Sequence, residues 1–234
     1  MINNIKIPEH FQSRKISMFK AIASSTLALL LLVQSTHAYK CKVPAPSPNF
    51  TRDRYSGVWY EIAKFQTAGG AYFEKDCVCT QLNVTSGDNG AFFADNICRF
   101  QTPGGKITNA KGNLFNEGPS GHFKENFFPF APSVDYTIAF MGEMNGEEYS
   151  VEYDCGSTLL TGTNYCVHFL ARKPSMSPDV LNYLIDQVNQ LGLNQESLPL
   201  QMTKHEGCWS QTSSVEETTQ TEETTDEEGQ LFFQ

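Results

Sequence analysis

The sequence predicts an all-β protein: an eight-stranded antiparallel up-and-down barrel with one C-terminal helix packed outside it. Two observations carry that prediction. From Gly57 to Arg172 the chain is a series of short strand-like runs separated by turn residues, with no internal repeat. After the eighth run comes a capped helix, and then an extended, cysteine-bearing segment reaching Cys208. A sandwich of the immunoglobulin type would also show strands and cysteines, but it would not add that helix and segment after its last strand.

Taken in order, the chain opens on a targeting segment. Met18-Phe19-Lys20 precedes an apolar run from Ala21 to Val33, and Thr36-His37-Ala38 is a small-x-small cleavage signal. Residues 1–38 are therefore expected to be a signal peptide, with Met18 as an alternative start. The run is shorter than the roughly twenty residues a spanning helix needs, so no transmembrane segment is expected in the mature chain. The folded domain is expected over 39–209. Residues 210–234 are rich in Thr, Gln and Glu and carry no Lys or Arg, the composition of a disordered acidic tail. The chain carries a net charge of −9, which argues against nucleic acid as a partner. All 7 cysteines follow the cleavage site, as do sequons at Asn49 and Asn83, and both facts suit a secreted glycoprotein. An odd cysteine count leaves one thiol free or paired with another chain, so a dimer through that cysteine stays open.

The strands are read at 57–65, 78–86, 91–100, 106–115, 121–128, 134–141, 147–154 and 164–172. Turn-forming residues separate them: Gly87 to Gly90, Pro103 to Gly105, Asn116 to Gly121, and Asn145-Gly146. Hairpin connections of this kind give an up-and-down order, and eight strands close into a barrel wide enough for one small ligand. Ser177-Pro178-Asp179 then places an N-cap before a proline at the first helical position. Leu181, Leu184, Ile185, Val188 and Leu191 recur at helical spacing up to Gly192, and this stripe is expected to pack on the barrel's outer surface.

The segment Gly57-Val58-Trp59-Tyr60-Glu61-Ile62-Ala63 resembles the first-strand signature of the lipocalin family, in the form found in its apolipoprotein D-like and bacterial branches. Physically, the glycine lets the chain bend into the strand, and the tryptophan can close one end of a small barrel. An ordinary core tryptophan would explain the tripeptide alone. Later segments fall in the family's order as well. Val167 to Pro174 is similar to the family's last strand, where an arginine in the position of Arg172 packs over the signature tryptophan. Phe123 to Tyr136, with Pro129 and Pro132, is similar to the family's strand, proline break and next strand. The resemblance implies bridges from Cys41 to Cys155 and from a second-strand cysteine to Cys208.

The interior follows from alternation. A glycan on Asn83 must face solvent, so Cys79 and Gln81 face out with it while Thr80, Leu82 and Val84 face in. Cys79 then suits the external bridge to Cys208. Hairpin phase sets Cys98 opposite the Cys77 to Cys79 region, which gives Cys77 to Cys98 as a third bridge and leaves Cys166 free. Phe65, Leu82, Phe140 and His168 are expected on the cavity wall. His168 aligns with a pocket-lining aromatic of the resembled family, and Cys166 shares its parity. A packed barrel without a cavity is the plainer alternative.

Catalytic constellations are weak. Gly104-Gly105-Lys106 lacks the spacing of a phosphate loop, and Cys166 with His168, two apart on one strand, has no orienting third group. Cys77-Val78-Cys79 looks like a metal pair, but in an oxidising compartment disulfides explain it better. Neither metal nor cofactor is expected, and catalysis is not. The expected function is a secreted lipocalin that binds and transports a small hydrophobic ligand: a fatty acid, sterol, retinoid or pigment. An enzyme on the same barrel acting on a lipid or carotenoid, and a surface-interaction protein, are the alternatives.

Overall fold

In the computed structural model of the chain, residues 39–127, 132–158 and 162–208 are described. The expected signal peptide (1–38) and the expected disordered tail (210–234) lie outside them. Eight antiparallel strands close a barrel: β1 (Gly57–Gln66), β2 (Cys77–Ser86), β3 (Phe92–Phe100), β4 (Ile107–Asn116), β5 (His122–Asn126), β6 (Val134–Met144), β7 (Glu147–Thr158) and β8 (Gly162–Ala171). Each pairs with the next, and β1 pairs with both β8 and β2. Strand β6 runs beyond its expected end to close the hairpin at Asn145-Gly146, and β7 runs on to Thr158 because its last residues pair with the start of β8. The last residue read into the fifth strand, Phe128, lies outside the described residues.

Three elements are absent from the sequence reading. A short helix, α1 (Arg52–Tyr55), is capped by the Thr51 hydroxyl and leads into β1. A 3-10 turn at Tyr72–Glu74 lies in the loop between β1 and β2. A two-residue strand, β9 (Gln201–Met202), pairs with β1 where β1 and β2 part. The Ile62 carbonyl accepts from Thr203 N, and the Cys79 amide donates to Lys204 O, so this C-terminal segment fills the seam.

The helix after the barrel, α2 (Pro178–Gln190), buries Val180, Leu181, Leu184 and Val188 against the outer face of β7, β8 and β1. Burying such side chains contributes about 1.5–3 kcal/mol each. Leu191, expected in the stripe, is exposed because the helix ends there, and Leu193 beyond the turn takes the buried place. A second apolar cluster fills the barrel's closed end, with Trp59, Tyr55, Phe92, Phe123 and Leu114 each fully buried.

Trp59 and Arg172 form one unit at that end. The guanidinium lies 3.6 Å from the indole centroid. Arg172 also donates to the carbonyls of Val58 at 2.8 Å, Ser56 at 2.9 Å and Arg54, and Trp59 Nε1 donates to Tyr55 O at 2.7 Å. Gly57, at φ 97°, bends the chain into β1 beneath the guanidinium. Arg172→Ala is expected to lower the unfolding free energy by about 1–3 kcal/mol through a bared indole and three lost carbonyl contacts. An unmoved melting temperature would show that the stack contributes nothing.

Three disulfides are present: Cys41–Cys155, Cys77–Cys98 and Cys79–Cys208. They are the pairings expected from the sequence. Cys166 is free and buried, so in the closed barrel it offers no sulfur to a second chain. No described helix is long and apolar enough to cross a membrane. Asn49 is exposed and Asn83 half-buried, on the outer face of β2.

Candidate functional site

Opposite the Trp59 end the interior opens into a cavity of about 260 Å³. Its apolar wall is made by Leu82, Leu170, Val134 and Tyr136, with Phe73 and Phe127 at the mouth, their ring centroids 5.0 Å apart. Of the wall residues expected from the sequence, Leu82 and His168 line this cavity. Phe65 and Phe140 do not. Phe65 sits opposite Val167 and packs with Val180 and Leu184 beneath α2, and Phe140 sits opposite Val151 on the same outer layer.

The physical reason is a bulge in each strand. The register of β1 shifts between Glu61 and Ala63, and that of β6 between Ile138 and Phe140. One extra residue reverses which side chains face inward beyond it. In β1 Glu61 faces inward in phase with Trp59, and the reversal beyond it turns Lys64 to the interior as well, so that Lys64 lies opposite His168 across the strand pair.

The remaining wall carries buried charge. Glu61 Oε2 lies 2.7 Å from His168 Nδ1, and its Oε1 accepts from Thr203 Oγ1 at 2.6 Å and lies 3.2 Å from Lys64 Nζ. Lys64 Nζ also reaches Glu74 Oε2 at 3.1 Å, a carboxylate delivered by the loop turn rather than by the barrel. The other ring nitrogen, His168 Nε2, is 3.1 Å from Asp154 Oδ2. Deeper in, Tyr55 Oη donates to Glu152 Oε1 at 2.8 Å and lies 2.8 Å from Tyr136 Oη. Glu125 completes the set from β5 and is 5% exposed.

These groups hold one another in unequal states. Burial opposes the charge on Glu61, but Lys64 and His168 outweigh it and keep its carboxyl well below the usual range. Burial likewise opposes a charged His168, but the carboxylates around its ring, Glu74, Asp154 and Glu61, outweigh that and hold it well above the ordinary histidine value. Burial pushes Glu152 up to about 7. It does the same to Glu74, with Glu61 adding to the shift. Glu125 is held well above the usual range, by burial first and then by Asp154 and Glu152.

The geometry answers two questions left by the sequence. Cys166 Sγ and His168 Nδ1 are 3.9 Å apart, but that nitrogen is held by Glu61, and burial pushes the thiol up to about 12. A protonated histidine beside an un-ionised thiol has no base with which to make a nucleophile. The Glu61, Glu74 and His168 atoms lie close enough together to surround a metal ion. The Lys64 ammonium already stands between the two carboxylates, where such an ion's charge would go.

Sequence reasoning missed Glu61, Lys64, Glu74, Glu125, Glu152 and Asp154. A usable signal was present in β7, where Ser150, Glu152 and Asp154 alternate with Val151, Tyr153 and Cys155. The apolar set faces α2 there, so the polar set faces the cavity. The same holds in β8, where Cys166 and His168 alternate with Tyr165, Val167 and Phe169.

A family model described as a lipocalin-like domain matches residues 51–205. The chain is 29% identical to apolipoprotein D of Mus musculus over 167 residues, which is 70% of this chain and 83% of that protein. To apolipoprotein D of Bos taurus it is 27% identical over 169 residues, 71% of this chain and 84% of that one. In structure it is similar to insecticyanin from the tobacco hornworm Manduca sexta, with a TM-score of 0.54, 13% identity, and coverage of 73% of this chain and 89% of that one.

Proposed function

The chain belongs to the lipocalin family, and from that premise we propose that its barrel takes up one small, mainly apolar ligand and carries it as a secreted binding protein. The observation that carries this reading is the cavity itself. It is closed at the Trp59 end, reachable at the Phe73 and Phe127 end, and walled in its middle by Leu82, Leu170 and Tyr136. Removing a ligand's apolar surface from water there contributes roughly 25 cal/mol per Å². Three disulfides favour an oxidising compartment, as does the apolar leader. The un-ionised Cys166 favours a carrier over an enzyme. Fatty acids, sterols, retinoids and pigments are the classes to try, and the sequons at Asn49 and Asn83 are proposed to carry glycans.

The test is solvent extraction of the purified protein with mass spectrometry of whatever co-purifies, followed by calorimetric titration of that compound. Leu170→Trp, which fills the cavity from its apolar wall, is expected to weaken binding about tenfold or more. Unchanged affinity in that variant would place the ligand elsewhere.

A further inference from the structure

The cavity's carboxylates are unevenly partnered. Glu61 is met by Lys64, His168 and Thr203, Glu74 by Lys64, Asp154 by His168, and Glu152 by the Tyr55 hydroxyl. Glu125 is 5% exposed and faces the same space, yet among the described residues no hydrogen bond or ion pair reaches its carboxyl group. The room it occupies is specific. A Cβ at Gly112, across the strand pair, would fall 2.2 Å from Glu125 Oε1, so only glycine lets this carboxyl group lie there. A buried polar group of this kind without a partner carries a desolvation penalty, and a ligand that satisfies it removes the penalty.

Resting on the carrier reading, we propose that the cavity is built for a small organic cation, an amine on an apolar body, with its ammonium group on Glu125. The charge arrangement selects this class over the others. Five carboxyl groups, Glu61, Glu74, Glu125, Glu152 and Asp154, line the cavity. The two protein cations near them, Lys64 and His168, are committed to Glu61, Glu74 and Asp154. A ligand carboxylate would meet Glu125, Glu152 and Asp154 with no uncommitted cation beside them among the described residues. A neutral hydroxyl would offer Glu125 a single, uncharged donor. An ammonium supplies donors to Glu125 and lies in the field of Asp154 and Glu152, while Leu82, Leu170 and Phe73 cover its apolar part.

The full-length secreted protein is titrated calorimetrically with 2-phenylethylamine, with the near-isosteric 2-phenylethanol, and with a fatty acid. The amine is expected to bind about tenfold or more tightly than the alcohol, the range a hydrogen bond to a charged group supplies. Glu125→Gln, which keeps the shape, is expected to abolish that preference. If the alcohol or fatty acid binds as well as the amine, the inference falls and the carrier reading stands. If none of the three binds, both fall. If the amine preference survives in Glu125→Gln, the assignment to Glu125 is overturned. The comparison of amine and alcohol on the unaltered protein decides the matter even where the variant does not fold.

Discussion

The protein is expected to be more stable at about pH 5.5 than at about pH 8.5, by roughly 2 kcal/mol for each buried carboxyl group that titrates in that window. Glu152 is the cleanest case. Its folded pKa is pushed up to about 7 by burial, above the value of an exposed glutamate. A raised folded pKa means that the native state binds the proton more tightly than the unfolded chain does. Its contribution is therefore fully present below the unfolded pKa and is lost as pH rises through about 7. Glu74, also raised to about 7, acts in the same direction, as do Glu125 and His168, both held well above their ordinary values. Glu61 acts oppositely, but its carboxyl is held so low that its contribution is lost only in strong acid. Thermal melts across this range should show the melting temperature falling as pH rises, with Glu152→Gln flattening the profile. A melting temperature that is level or rises toward alkaline pH would mean that these carboxyl groups ionise freely in the folded barrel.

The second large effect concerns the C-terminal strap. Replacing both Cys79 and Cys208 with Ala is expected to cost about 4–5 kcal/mol by loop-closure entropy, against about 3 kcal/mol for the pair Cys77 and Cys98. The sequence separations are 129 and 21 residues, and the longer loop gains more freedom in the unfolded state. Packing acts in the same direction as entropy. The segment that Cys208 holds supplies β9, the Thr203 hydroxyl on Glu61, and His205, whose Nε2 lies 2.6 Å from the Glu61 carbonyl oxygen. Urea unfolding of the two double variants checks the order, and an equal loss in both would show that chain entropy is not what the long bridge constrains.

Much of the architecture was legible because it rests on local signals. Turn residues marked the hairpins, the Ser177-Pro178 pair marked the start of α2, and hairpin phase set Cys77 opposite Cys98. What was not legible is the register beyond a bulge. Nothing in Gly57 to Gln66 announces the shift between Glu61 and Ala63, which depends on how β1 pairs with β8. Counting by twos across it carried Phe65 inside and Lys64 outside, the reverse of what the closed sheet enforces. The charged interior was hidden for a related reason. In β8 the alternation put His168 on the cavity wall but gave it no partners, and in β7 and β8 the larger apolar area is covered by α2. A strand covered on its outer face by a helix is free to turn its polar residues inward, provided they pair. Glu61, Lys64, Asp154 and His168 do so across three strands, a coincidence in space that no spacing in sequence displays.

The turn that carries Glu74 has a kinetic meaning. Most of the charged groups stand on the barrel wall and stay in place whatever passes the mouth. Glu74 comes from the loop, together with Phe73, whose ring stands against Phe127 at the entrance. Lifting that loop to admit or discharge a molecule withdraws Glu74 from Lys64 and leaves a buried ammonium one partner short. On the carrier reading the wall selects what is held and the loop sets for how long, so substitution of Glu74 is expected to change a ligand's association and dissociation rates together.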